Sequence, residues 1–98
     1  MYLTPHIPQI QKLCEQHRVE RLYAFGSVLT DRFSEKSDVD LVVEIGDNNP
    51  ISYSEQYFGL KFKLEDLFRR PIDLLEQKAI KNKYLKAEIA KTSVKIYG

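Results

Sequence analysis

Apolar residues recur along this chain in two rhythms, and each change of rhythm marks an element. Ile7, Ile10, Leu13 and Cys14 repeat at helical spacing, which predicts a first helix with one buried stripe. Thr4-Pro5 predicts its start, with threonine as N-cap and proline tolerated in the first turn. The polar run Glu15-Gln16-His17-Arg18 ends it. His17 reads as a solvated residue at a helix C-terminus, and His6 as structural or exposed. Val19 to Phe25 then reads as a strand covered on both faces, because Leu22-Tyr23-Ala24-Phe25 is nearly continuous in apolar character. Gly26 ends that strand with a sharp turn, where glycine allows a positive φ and close approach of a ligand. A short helix is expected from Ser27 to about Phe33, a polar loop from Ser34 to Ser37, and a second strand from Asp38 to Ile45.

Gly46-Asp47-Asn48-Asn49-Pro50 is the clearest loop signal and predicts a mobile connection. A long amphipathic helix follows from about Ser52 to Arg70. Tyr57, Leu60, Leu64, Leu67 and Phe68 form its inward face, while Lys61, Lys63, Glu65 and Asp66 face water. Gly59 in mid-helix costs about 1 kcal/mol relative to alanine and calls for a close packing contact. Arg69 and Arg70 are placed in the last turn, where positive charge suits the helix dipole. Pro71 to Leu75 reads as a third short strand, and a last helix starts near Asn82 and runs through Tyr84, Leu85 and Ile89. Val94 to Tyr97 reads equally as a fourth strand or a terminal extension. Strands alternating with helical patterns give an α/β (α+β) fold, a small mixed sheet with helices mainly on one face.

The second strand carries the chemistry. Asp38 and Asp40 stand one residue apart in the apolar run Val-Asp-Leu-Val-Val-Glu-Ile, so both carboxylates project from one face. Asp40 lies inside that run, where an unpaired carboxylate is expensive, and Asp73 sits in a third hydrophobic run with the same problem. Like charges at close range disfavour joint ionisation, and a divalent cation between them removes the penalty. A Gly26-Ser27 turn beside them can hold the phosphates of a nucleotide bound to the same metal. Residue types and positions together point to nucleotidyl transfer. Glu44 shares the parity of Asp38 and Asp40 but lies farther along the strand, facing solvent or a basic neighbour. Ser27 has no histidine in a suitable motif, so a Ser–His pair is unsupported. The turn also lacks the glycines and lysine of a Walker loop or a dinucleotide fingerprint.

The stretch GSVLTDRFSEKSDVD resembles the Gly-Ser-x10-Asp-x-Asp signature of the polymerase-β-like nucleotidyltransferase superfamily. The short chain is similar, more narrowly, to the minimal nucleotidyltransferases (MNT) that act as antitoxins beside HEPN-domain toxins. The resemblance implies the polymerase-β-like fold, with Asp38 and Asp40 binding two Mg²⁺ ions. Asp73 would complete the site of the catalytic metal and help deprotonate the acceptor hydroxyl. Gly26 and Ser27 would hold the β- and γ-phosphates of a nucleoside triphosphate, ATP by family expectation. It further implies transfer of AMP to a tyrosine hydroxyl of a cognate HEPN ribonuclease toxin, which is thereby neutralised. Two alternatives stand beside this: an antitoxin that works by binding alone, anchored by aromatics such as Tyr2, Tyr53, Tyr57 or Tyr97, and nucleotidyl transfer to a small molecule.

Size and composition narrow the rest. At 98 residues and 43% hydrophobic content, the expectation is one globular domain over residues 1–98. A net charge of +1 gives no general reason to expect direct nucleic-acid binding. The late lysines, Lys78, Lys81, Lys83, Lys86, Lys91 and Lys95, read as a solvated face. Cys14, the single cysteine, has no partner for an internal disulfide or a zinc site and reads as a buried thiol. No signal peptide is evident, and no apolar run approaches the roughly 20 residues that span a bilayer, so a cytoplasmic protein without membrane contact is expected.

Overall fold

The computed structural model describes all residues, 1–98. Its elements run α1 (Ile7–Gln16), β1 (Val19–Phe25), β2 (Val39–Ile45), α2 (Pro50–Phe68), β3 (Ile72–Glu76), α3 (Lys83–Thr92) and β4 (Val94–Tyr97). The closing segment is therefore a strand. The sheet has the order β3-β2-β1-β4, with β1 antiparallel to both β2 and β4 and β2 parallel to β3. A parallel pair needs a crossover, and α2 supplies it.

Strand alternation divides the core. Val39, Leu41 and Val43 of β2 join Ile72 and Leu74 of β3 in the main cluster, under Ile10 and Cys14 of α1 and Leu60, Leu64 and Phe68 of α2. Val42 points the other way, where Phe25, Ile80 and Ile89 form a smaller cluster beneath α3. Two helices thus cover one face and one helix part of the other, as the mixed-sheet expectation had it. The uncovered end of the α3 face is where the acidic residues emerge.

Helix side chains also close the sheet's edges. The Tyr57 hydroxyl donates to the Leu74 carbonyl at 2.5 Å, and Glu65 accepts from the Ile72 amide at 3.3 Å, both on edge strand β3. At the opposite edge Gln11 donates to the Ile96 carbonyl at 3.2 Å. Exposed strand edges invite pairing with another chain, and these bonds occupy them.

Several local expectations are corrected. The helix expected over Ser27–Phe33 is a single 3₁₀ turn, Gly26–Leu29. Thr30 breaks it: its hydroxyl donates to the Ser27 carbonyl at 2.9 Å and accepts from the Arg32 amide at 3.2 Å, competing with helical bonding. Thr4 does not cap α1 but begins a 3₁₀ turn, Thr4–His6, that leads into it. His17 is buried rather than solvated. Its Nδ1 lies 2.7 Å from the Leu13 carbonyl, and its ring fills the space left by Gly59, where a Cβ would sit 3.0 Å from Nε2. That is the packing contact the mid-helix glycine called for.

The loop after β2 is held, not free. The Asp47 carboxylate accepts from the Asn49 amide at 3.0 Å, from the Ser52 hydroxyl and from Arg18 at 3.2 Å. Asn49 then caps α2 by accepting from the amides of Ile51 and Ser52.

Helix α2 ends at Phe68, before the two arginines, and Arg69 takes the left-handed conformation at φ 56°. Glycine adopts that conformation without steric penalty. Arg69→Gly should therefore stabilise the fold by about 1 kcal/mol, read as a rise in thermal midpoint.

Candidate functional site

Three segments meet at one end of the sheet: the end of β1 with its Gly26-Ser27 turn, the start of β2, and the start of β3. Antiparallel register sets Phe25 opposite Asp40, so the turn that follows Phe25 lies directly against that carboxylate. Gly26 has φ +77°, and a Cβ built on it would fall 2.6 Å from the Asp40 Oδ2. Glycine is required here twice over, for the left-handed backbone and for the absence of a side chain. Parallel register then sets Asp40 opposite Asp73. Both project to the α3 face, since their strand neighbours Val39, Leu41, Ile72 and Leu74 fill the core on the other side.

Asp38 shares this parity but sits just before β2 begins, and it is exposed. Electrostatics ties the three together. Burial pushes the Asp40 carboxyl above the usual carboxylate range, and the negative charges of Asp73 and then Asp38 push it further. Ser27 is half-buried in the turn, its carbonyl engaged by Thr30 and its hydroxyl in no hydrogen bond within the protein. All five residues singled out from the sequence thus gather at one rim.

No group of three or more acidic, histidine or cysteine side chains is placed so as to hold a metal ion by itself. Magnesium does not require one, because it is usually held by one or two carboxylates plus substrate phosphates and keeps several waters. Asp40 faces Asp73 at the same register step with Asp38 alongside, and all present only oxygen donors, the type a hard cation takes. The residues fit such an ion.

Glu44 behaves as its position implied, pairing with Arg21 at 3.3 Å. A groove of about 480 Å³ between the sheet and α3 is lined by Tyr23, Glu44, Lys86 and Ile89 and touches none of Asp38, Asp40 and Asp73. A phosphate-handling rim is open and polar, so cavity size is a poor guide to it. The tyrosines named as interface anchors are partly buried. Tyr57 bonds Leu74, Tyr53 lies under the Lys78 ammonium at 3.8 Å, and Tyr2 packs on Phe33 and Phe68. Burial and then Glu76 raise the Tyr53 hydroxyl to about 12. The large apolar side chains that do reach solvent on α2 are Ile51, Phe58 and Phe62, which an amphipathic reading of that helix passes over.

Comparison with known proteins agrees with this fold. Residues 8–98 match the family described as Polymerase beta, Nucleotidyltransferase. Two relatives from Methanocaldococcus jannaschii, both named protein adenylyltransferase, are 36% and 35% identical over 77 residues, 79% of this chain and 76% of each relative. Among solved structures, a minimal nucleotidyltransferase superposes with a TM-score of 0.77 at 24% identity, covering 95% of this chain and 91% of that one. A toxin–antitoxin complex with AMP-PNP superposes at 0.73 and 21% identity, covering 94% of this chain and 73% of that one. No helix is long and apolar enough to cross a membrane. With a family match over residues 8–98, most of its length, the chain belongs to the polymerase-β nucleotidyltransferases and is a nucleotidyltransferase.

Proposed function

We propose that this protein is an antitoxin that transfers AMP from ATP to a tyrosine hydroxyl of a HEPN ribonuclease toxin. The observation that carries the chemistry is the contact chain Gly26–Asp40–Asp73, in which a glycine turn abuts a carboxylate that faces a second carboxylate. The acceptor is supported by the relatives named protein adenylyltransferase. It is supported also by the likeness to a Shewanella oneidensis MNT antitoxin in complex with a tri-AMPylated HEPN toxin, with a TM-score of 0.66 at 19% identity.

In this mechanism the Gly26-Ser27 turn holds the β- and γ-phosphates through its amides and the serine hydroxyl, fixing the α-phosphorus in front of the carboxylates. Asp38, Asp40 and Asp73 would hold two Mg²⁺ ions, which would supply Lewis-acid neutralisation of the triphosphate and lower the pKa of the acceptor hydroxyl. Asp73 receives the acceptor proton on its carboxylate as the new O–P bond forms. The bond from the α-phosphorus to the bridging oxygen breaks, and pyrophosphate leaves with that oxygen. A tyrosine so modified gains bulk and negative charge, which repels an RNA backbone from the toxin's cleavage site.

The test is incubation with α-labelled ATP, Mg²⁺ and the protein encoded beside this one. Label should appear on a tyrosine of that neighbour, and Asp73→Asn should slow transfer by roughly 10²-fold or more, the usual worth of a positioned base. Label found only on small molecules would move the acceptor to that class. Protection of cells by a variant unable to transfer would make binding alone the mechanism.

A further inference from the structure

Arg70 sits between α2 and β3, three residues before Asp73, yet its side chain reaches into the segment that precedes Asp38. Its Nη1 donates to the Ser34 carbonyl at 3.0 Å and to the Ser37 carbonyl at 2.9 Å. The guanidinium packs against two adjacent rings, 4.7 Å from the centroid of Tyr2 and 4.6 Å from that of Phe33. Those rings also touch each other, with centroids 4.7 Å apart. Arg70 makes no ion pair with Asp38, Asp40 or Asp73. A helix-dipole role, expected from its place in the sequence, does not describe these contacts.

From this geometry we infer that Arg70 is a positioning residue, a latch holding Asp38 in register with Asp40 and Asp73. The Ser37 carbonyl it grips belongs to the peptide unit that continues into Asp38. Two residues on, the Val39 amide donates to the Pro71 carbonyl at 3.4 Å, and the parallel ladder then sets Asp40 beside Asp73. One side chain thus ties the start of β2 to the start of β3.

The gripped segment is short and polar. It is closed by the Ser37 amide on the Ser34 carbonyl at 3.0 Å and the Ser34 amide on the Ser37 hydroxyl at 3.1 Å. It has no apolar anchor between Phe33 and Val39. Without the latch, Asp38 hangs on an exposed turn. One nitrogen, Nη1, serves both carbonyls while the flat guanidinium packs on both rings; a lysine ammonium keeps donors for the carbonyls but lacks that planar surface. Tyr2 and Phe33 lie with the main core, so the latch acts from behind the carboxylates and touches no substrate.

The inference rests on the metal–nucleotide reading of the site, and its test separates the two. Titration calorimetry with Mn²⁺ and a non-cleavable α,β-methylene ATP analogue reads binding without turnover. Hydrogen exchange reads the Ser34–Val39 amides in the ligand-free protein. Arg70→Met should weaken binding roughly tenfold, the lower end of what outer-shell support of metal ligands is worth, and Arg70→Lys by less, since an ammonium keeps donors for the two carbonyls. Exchange should speed up over Ser34–Val39 while the amides of β1 and α2 keep their protection. If the parent protein fails to bind the metal–nucleotide pair, the reading of the site falls. If the parent binds and Arg70→Met matches it within twofold, the latch falls while the site stands. Equal loss of protection across the whole chain in both variants would make Arg70 a general stabiliser and would also overturn the proposal.

Discussion

Asp40→Asn should lose nucleotidyl transfer by 10³-fold or more and, in the same protein, melt at a higher temperature. The loss follows from removing the carboxylate that stands between Gly26 and Asp73. A charge neutralised by metal at this point is worth several kcal/mol in the transition state, and each ~1.4 kcal/mol is tenfold in rate. The gain follows from the same placement. Burial, Asp73 and Asp38 hold the Asp40 carboxyl above its ordinary range, so the folded state binds its proton more tightly than the unfolded chain does.

Stability attached to such a group is complete below the ordinary carboxylate range and is lost as pH rises through the raised value. At neutral pH the metal-free fold carries the full penalty, and asparagine removes it. The site is only partly buried, so solvent screening limits the gain to about 1 kcal/mol or less, a rise of a few degrees for a chain of this size. Magnesium should raise the thermal midpoint of the parent and leave that of the variant nearly unmoved, because only the parent binds it in the folded state. Thermal melts at several pH values with and without Mg²⁺ read all of this. A variant that is less stable than the parent in metal-free buffer at neutral pH would contradict it.

Gly26→Ala should be the most damaging single-carbon change in the chain. The added methyl would meet the Asp40 Oδ2 at 2.6 Å on a backbone at φ +77°. Either the turn retreats from the carboxylate or Asp40 leaves its place beside Asp73. A left-handed backbone alone costs a non-glycine residue roughly 1–2 kcal/mol. Displacement of about 1 Å at the reacting centre costs about 10²-fold in rate. Transfer should therefore fall by at least that factor, with a measurable drop in thermal midpoint. Ser27→Ala is the matched control. It deletes one hydroxyl beside the same turn and should cost nearer tenfold, on the order of one hydrogen bond. Equal effects of the two substitutions would mean that the backbone geometry of the turn is not what matters.

Period-two placement of Asp38 and Asp40 in an apolar run, and the glycine that must end β1, are local facts, and they survive intact in the fold. So do the strand and helix patterns from Val19 to Phe25 and from Leu60 to Phe68, because alternation and helical spacing follow from which side faces the core. The register that sets Asp40 opposite Asp73 has no such local signal. It depends on how α2 carries the chain back to β3, across more than thirty residues. The burial of His17 lacks a local signal for a related reason: a histidine at a helix end is polar by type, but the absent side chain at Gly59 makes a slot for its ring. Arg70 was invisible because its partners are backbone carbonyls and two rings distant in sequence, none of which a spacing rule detects. The short turn at Gly26–Leu29 shows the opposite failure, where one threonine hydroxyl overrode an acceptable helical pattern.

Crystals soaked with Mn²⁺ and the non-cleavable α,β-methylene ATP analogue, examined by anomalous scattering, test the arrangement most directly. Manganese should lie among the oxygens of Asp38, Asp40 and Asp73, with the triphosphate running along the Gly26-Ser27 turn. Metal and nucleotide bound elsewhere, for instance in the groove lined by Tyr23 and Lys86, with these three carboxylates uncoordinated, would contradict it.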